Sequence, residues 1–165
     1  MKAVKGLIWM MMMAVALTAC SSSDDEENVP LTINTLSGEY IGEATGTLVS
    51  INEKGEQRSS DVTPQGTETA KITVNDDGTL TLRQPTFYVG KGAYPGAIIY
   101  NIPAKLANNV ITFSIKDYGS MNGVYTVAGD LDGEYKDNRL VLDYTFKHAG
   151  SMVGTIHFEG LRKKQ

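Results

Sequence analysis

A two-residue rhythm restricts this chain more than any other feature. In "RLVLDYTFKH", Leu140, Leu142, Tyr144 and Phe146 fall on every second position. Ala70, Ile72 and Val74 repeat the pattern, as do Ile111, Phe113 and Ile115, and Met152, Gly154, Ile156 and Phe158. Successive side chains of a strand point to opposite faces, so this spacing buries one face and leaves the other wet. No segment after Thr35 carries a sustained helical period. The turn signals "NDDG", "ANN" and "KDN" separate the runs, and asparagine, aspartate and glycine accept the positive φ that tight turns need. The pattern predicts eight strands: 38–50, 67–75, 79–89, 97–105, 110–116, 123–136, 139–148 and 152–163. A meander of this kind closes most simply as an eight-stranded antiparallel up-and-down barrel, which removes exposed sheet edges. A β-sandwich is the alternative.

The N-terminus has a different character. Lys2 and Lys5 precede the apolar run "LIWMMMMAVA", Leu7 to Ala16. Ten residues are too few to span a bilayer, which takes ~20. A basic start, a short apolar run and small residues before a cut describe a secretion signal. Leu17, Thr18, Ala19 and Cys20 resemble the lipobox of bacterial lipoproteins. The resemblance implies cleavage before Cys20 and acylation of its thiol and new amine. Cys20 is the single cysteine, so no internal disulfide is open to the chain. Residues 20–36, with the run Asp24, Asp25, Glu26 and Glu27, read as the lipidated cysteine and a flexible acidic tether; too little apolar surface is present to offset the entropy of ordering. The "SSSDDEE" stretch also resembles an acidic export signal of surface-exposed lipoproteins.

Removing residues 1–19 takes away two lysines and no acid, moving the formal charge from −4 to −6. Such a balance disfavours nucleic acid, which selects clustered positive charge. The expected address is the outer membrane of a Gram-negative bacterium, with display at the surface or toward the periplasm as the two orientations.

The stretches "LSGEYIGEATGTL", "AKITVNDDGTLTL", "YNIPAKLANNVITFSI" and "VAGDLDGEYKDNRLVLDYTFK" look like the calycin-like β-barrel domain of bacterial lipoproteins. The likeness covers residues 38–162 and implies a barrel domain over 37–165. It supplies fold and address, and no activity. Calycins often carry Gly-x-Trp on the first strand against an arginine from the last. Gly38-Glu39-Tyr40 and Arg162 stand at those places, with tyrosine where the family has tryptophan.

In a meander, successive links alternate between the two ends. The longer links, 51–66, 90–96 and 117–122, therefore share an end opposite the tether, and function concentrates in such loops. The expected role is a non-enzymatic binding module whose mouth takes a small apolar or mixed ligand. Candidate mouth residues are Tyr88, Lys91, Tyr94, Tyr118, Met121 and His148, with Phe113, Tyr144 and Phe146 lining or filling the interior below. Tyr94 and Tyr118 are expected at the rim. The alternative is a filled barrel that contacts another envelope protein. Glycines 42, 46, 129 and 154 either open room inside or permit bending. No catalytic residue, metal site or cofactor is expected. His148 and His157 fall on opposite faces, and Asp130, Asp132 and Glu134 lack the spacing of a calcium loop.

Overall fold

A computed structural model describes residues 30–122, 125–148 and 151–164. Cys20 and the acidic run lie outside the described residues. The fold is all-β, introduced by one 3-10 turn, Ile33–Leu36. Twelve strands follow: β1 (Gly38–Ile51), β2 (Gln57–Val62), β3 (Glu68–Val74), β4 (Leu80–Arg83), β5 (Phe87–Val89), β6 (Gly92–Tyr94), β7 (Ile98–Ile102), β8 (Ala104–Ala107), β9 (Val110–Asn122), β10 (Tyr125–Lys136), β11 (Arg139–His148) and β12 (Met152–Arg162).

Twelve segments replace the expected eight for three local reasons. Pro85 and Pro103 cannot donate to a ladder, so the strands over 79–89 and 97–105 each break in two. The expected loop 51–66 folds back as β2, pairing Gly46–Ile51 with Gln57–Val62. The link 90–96 holds β6, which pairs with β5. Residues 117–122 are no loop either; they continue β9 past a bulge, where Asp117 takes φ 50°.

All strand pairs are antiparallel, and β1 organises them. One edge pairs with β12 from Tyr40↔Arg162 to Ser50↔Met152. Its other edge takes β3 low down and β2 high up. From β12 the sheet continues through β11, β10 and β9 to β8, while β3 leads to β4 and β4 to β7. The hydrogen-bonded sheet is open, because no ladder joins β7 to β9 among the described residues. Only Pro103 separates β7 from β8 along the chain, and Ser120 Oγ donates to the Ile98 carbonyl across the gap.

The predicted inward faces are the buried ones. Ala70, Ile72, Leu80, Leu82, Ile111, Leu131, Leu140, Leu142, Ile156 and Phe158 are almost completely covered. The turns at Asn108–Asn109 and Asp137–Asn138 place both residues at positive φ, the backbone twist that two-residue hairpins favour.

The chain from Leu31 belongs to the folded body, which corrects the tether boundary at residue 36. Leu36 is fully buried, with Leu31 and Ile33 packed beside it. The Tyr40 hydroxyl donates to the Leu36 carbonyl at 2.7 Å. The Arg162 guanidinium donates to the carbonyls of Thr35 and Ser37. Arg162→Ala strands two half-buried carbonyls, and charged hydrogen bonds contribute ~1.5–3 kcal/mol each. The expected result is a loss of about 2–4 kcal/mol in urea unfolding, with Arg162→Lys recovering part of it.

Candidate functional site

The distal ends of β1, β9 and β11 and the starting ends of β10 and β12 meet at one end of the sheet, as their registers require. The β5–β6 hairpin covers this mouth. Phe87 is buried, stacks on Tyr94 with centroids 5.2 Å apart and planes 6° from parallel, and meets Phe146 at 5.2 Å. Register explains the stack, because Phe87 and Tyr94 are cross-strand partners.

Below these rings lies a buried polar layer. Gln84 is 4% exposed; its Oε1 accepts from the Ala97 N–H and its Nε2 donates to Tyr118 Oη, both at 3.3 Å. Tyr118 Oη donates to the Thr145 carbonyl at 2.8 Å. That carbonyl faces a stretch where the β10–β11 ladder skips from Ala128↔Lys147 to Leu131↔Tyr144. The Asp130 N–H turns to Thr145 Oγ1 at 3.1 Å instead. Side chains thus take over backbone bonds that the bulge removes. Burial pushes the Tyr118 hydroxyl up to about 12, against the opposing pull of Gln84. Burial, and then the neighbouring Tyr118, hold the Tyr144 hydroxyl well above the ordinary tyrosine range. Tyr144 Oη is buried without a hydrogen-bond partner among the described residues.

The structure brings several sequence candidates together. Phe113, Tyr118, Tyr144 and Phe146 are all in the interior. Tyr118 is only 3% exposed, so it is a core plug and not the rim residue expected. Its cause is the β9 bulge, which turns it inward opposite Gly129. Tyr94 and Tyr88 are half-buried on the hairpin, and Lys91 is exposed at its turn. His148 is half-buried, with Nδ1 3.3 Å from the Thr126 carbonyl. Met121 pairs with Thr126 through its backbone; its side chain lies outside the described residues. Gln84 and Phe87 escaped the sequence reading. Alternation from Leu80 and Leu82 points to Gln84, but Pro85 resets the phase before Phe87.

The glycines open no interior room. A Cβ on Gly154 would lie 1.9 Å from the Phe146 ring, and one on Gly129 1.9 Å from the Thr145 carbonyl oxygen. On the outer face Lys116 pairs with Asp132 at 3.0 Å and Arg139 with Glu159, and His157 Nδ1 lies 2.8 Å from Asp143 Oδ1. A shallow outer groove of about 560 Å³ runs among Lys105, Ser114, Asp132, Glu134, Val141 and Asp143. Among the described residues, no group of three or more His, Cys, Asp or Glu side chains is placed to hold a metal, and no helix is long and apolar enough to cross a membrane.

No family model matches the chain, and no curated protein matches it. Among solved structures, the crystal structure of a presumed outer membrane protein from Bacteroides fragilis is similar, with a TM-score of 0.53 and 17% identity. The match covers 79% of this chain and 52% of that one, so the chain spans about half the length of its structural neighbour. At that identity the likeness extends to the β-sheet fold alone.

Proposed function

We propose that this chain is a lipid-anchored, non-enzymatic protein of the bacterial outer membrane whose calycin-like barrel acts by contact with other envelope components. The observation that carries the contact role is the interior, occupied by the protein's own side chains from Leu36 at one end to Phe87 and Phe146 at the other. A filled body of this kind offers partners its outer faces and mouth hairpins. The barrel reading rests on chain continuity: β4 pairs with β7, β7 runs through Pro103 into β8, and β8 pairs with β9, so the chain itself spans the gap that the hydrogen-bonded sheet leaves open. The anchor reading rests on the lipobox-like "LTAC", and the description of the structural neighbour as a presumed outer membrane protein agrees with the address.

Metabolic labelling with a fatty acid tests the anchor. Cys20→Ala is expected to abolish incorporation completely, because no other thiol is present to accept the lipid. Label that persists on the variant would sink the lipobox reading. Changing Asp24, Asp25, Glu26 and Glu27 to alanine in the same experiment should keep the label; loss of sensitivity to external protease would then assign the acids to surface export. A second reading, a small ligand at the mouth, is favoured by one specific observation, the unpartnered Tyr144 hydroxyl.

A further inference from the structure

The segment from Gln84 to Ala97 is built as a flap on a fixed neck. At the neck, the Gln84 N–H donates to the Ala97 carbonyl at 2.9 Å, and the Ala97 N–H returns to Gln84 Oε1 at 3.3 Å. The two arms cross closely there: a Cβ on Gly96 would lie 2.0 Å from the Gln84 carbonyl oxygen. Beyond the neck, the flap's ladder to the rest of the sheet among the described residues is a single residue pair, Val62↔Val89. The Thr63 N–H donates to the Tyr88 carbonyl at 3.1 Å, and Gln65 Nε2 reaches the Gly90 carbonyl at 3.5 Å. By contrast, β1 and β12 pair along eleven consecutive positions. Regions with few ladder bonds open locally at far lower cost than a central ladder.

What the flap covers is chemically specific. Its inner side carries Phe87 and Tyr94 as one stacked unit, so withdrawing the hairpin removes both rings together. Phe146 stays behind as an apolar face. Gln84 and Tyr118 stay with their hydrogen bonds made at the neck and to Thr145. Tyr144, next in phase below Phe146, keeps a buried hydroxyl with a proton to donate and no acceptor. A natural interior rarely leaves such a donor unused without a reason.

We infer that the β5–β6 hairpin is a removable stopper, and that the position of the Phe87 ring doubles as a site for a small, neutral, ring-shaped molecule bearing a hydrogen-bond acceptor. The guest lies against Phe146 where Phe87 lies in the closed state, and it accepts from Tyr144 Oη. Charged guests are disfavoured, because the buried polar side chains among the described residues are neutral, the half-buried Asp130 nearby offers an anion no partner, and an unpaired charge there is costly. This role goes beyond the contact function and stands or falls separately from the lipid anchor.

Phenol serves as the probe, with benzene as the ring lacking an acceptor, and the full-length chain in detergent as the protein. In hydrogen exchange of the unmutated chain, amides of Tyr88, Val89, Gly92 and Ala93 should exchange at least tenfold faster than those of the β1–β12 ladder, and phenol should alter their rates. Phe87→Ala, which empties the ring position, should bind phenol more tightly than the unmutated chain does. Adding Tyr144→Phe should cost about tenfold in phenol affinity, one hydrogen bond's worth, while leaving benzene unchanged. Hairpin amides as protected as the β1–β12 ladder would overturn the stopper, whether or not Phe87→Ala folds. A folded Phe87→Ala variant that binds neither probe, or a Tyr144→Phe change that moves both probes equally, would overturn the site.

Discussion

Gly42→Ala is expected to abolish folding, although it adds a single methyl group. A Cβ at Gly42 would lie 1.8 Å from the Glu159 carbonyl oxygen and 2.4 Å from the Gly160 Cα. Gly42 pairs directly with Gly160, so two strands without side chains approach each other at the β1–β12 junction. Relief requires the backbones to part near the Tyr40 end of the longest ladder. Such changes belong to the rare class that costs more than about 4 kcal/mol. Gly78→Ala is the matching control. Gly78 stands in the "NDDG" turn at φ 80°, with open space around its Cα. There the cost is conformational only, roughly 1–2 kcal/mol. Thermal unfolding followed by circular dichroism separates the two. A Gly42→Ala protein melting like the Gly78→Ala protein would mean that β1 and β12 do not pair in this register.

Alkali should unfold the protein in a steep step above pH 10. The three tyrosines Tyr40, Tyr118 and Tyr144 keep their hydroxyls neutral in the fold, chiefly because burial penalises the phenolate. In the unfolded chain each ionises near 10. Above that pH the unfolded state holds fewer protons than the folded state, so stability falls as pH rises. The contribution is complete below about pH 10 and drains away toward each folded value. For Tyr118, held at about 12, the loss amounts to a few kcal/mol by pH 12, at roughly 1.4 kcal/mol per unit. Tyr40 and Tyr144 add to it in the same direction, opposed at Tyr40 only by the nearby Arg162. Tyrosinate absorbance and circular dichroism should therefore change together in one cooperative step. Ionisation of all tyrosines without loss of the β signal would show that the interior is open to water. Tyr144→Phe should make the step shallower.

Much of this architecture was legible because strand alternation reports burial directly. Ile111 and Phe113, or Leu140 to Phe146, were assigned inward by position alone, and they are buried. The tight turns were equally plain, since Asn108, Asn109, Asp137 and Asn138 are residues that tolerate positive φ. The mouth was harder to read for a physical reason. A bulge changes which face a residue occupies without changing its identity, and Tyr118 follows such a bulge at Asp117. Proline does the same at Pro85, so Phe87 looked like part of a continuous strand when it caps the interior. The loop 51–66 held no apolar alternation because β2 is an outer strand of exposed Gln57, Arg58, Ser59 and Asp61, held by its ladder to β1. Arg162 was placed opposite Tyr40 correctly, but its hydrogen bonds go to Thr35 and Ser37, inside a segment that composition alone marked as tether.

The pairing of Tyr40 with Arg162 also sets an order of events. Among the described strands, the first finds its longest ladder only in the last. Any chain interrupted before Met152 leaves one whole edge of β1 without its ladder, and the same edge of β11 unmatched. Contacts that close so long a loop form late, after shorter ones. The sheet cannot be completed before Met152–Arg162 have joined it. A sheet that waits on β12 keeps its earlier strands easy to unravel until residues 152–162 join them.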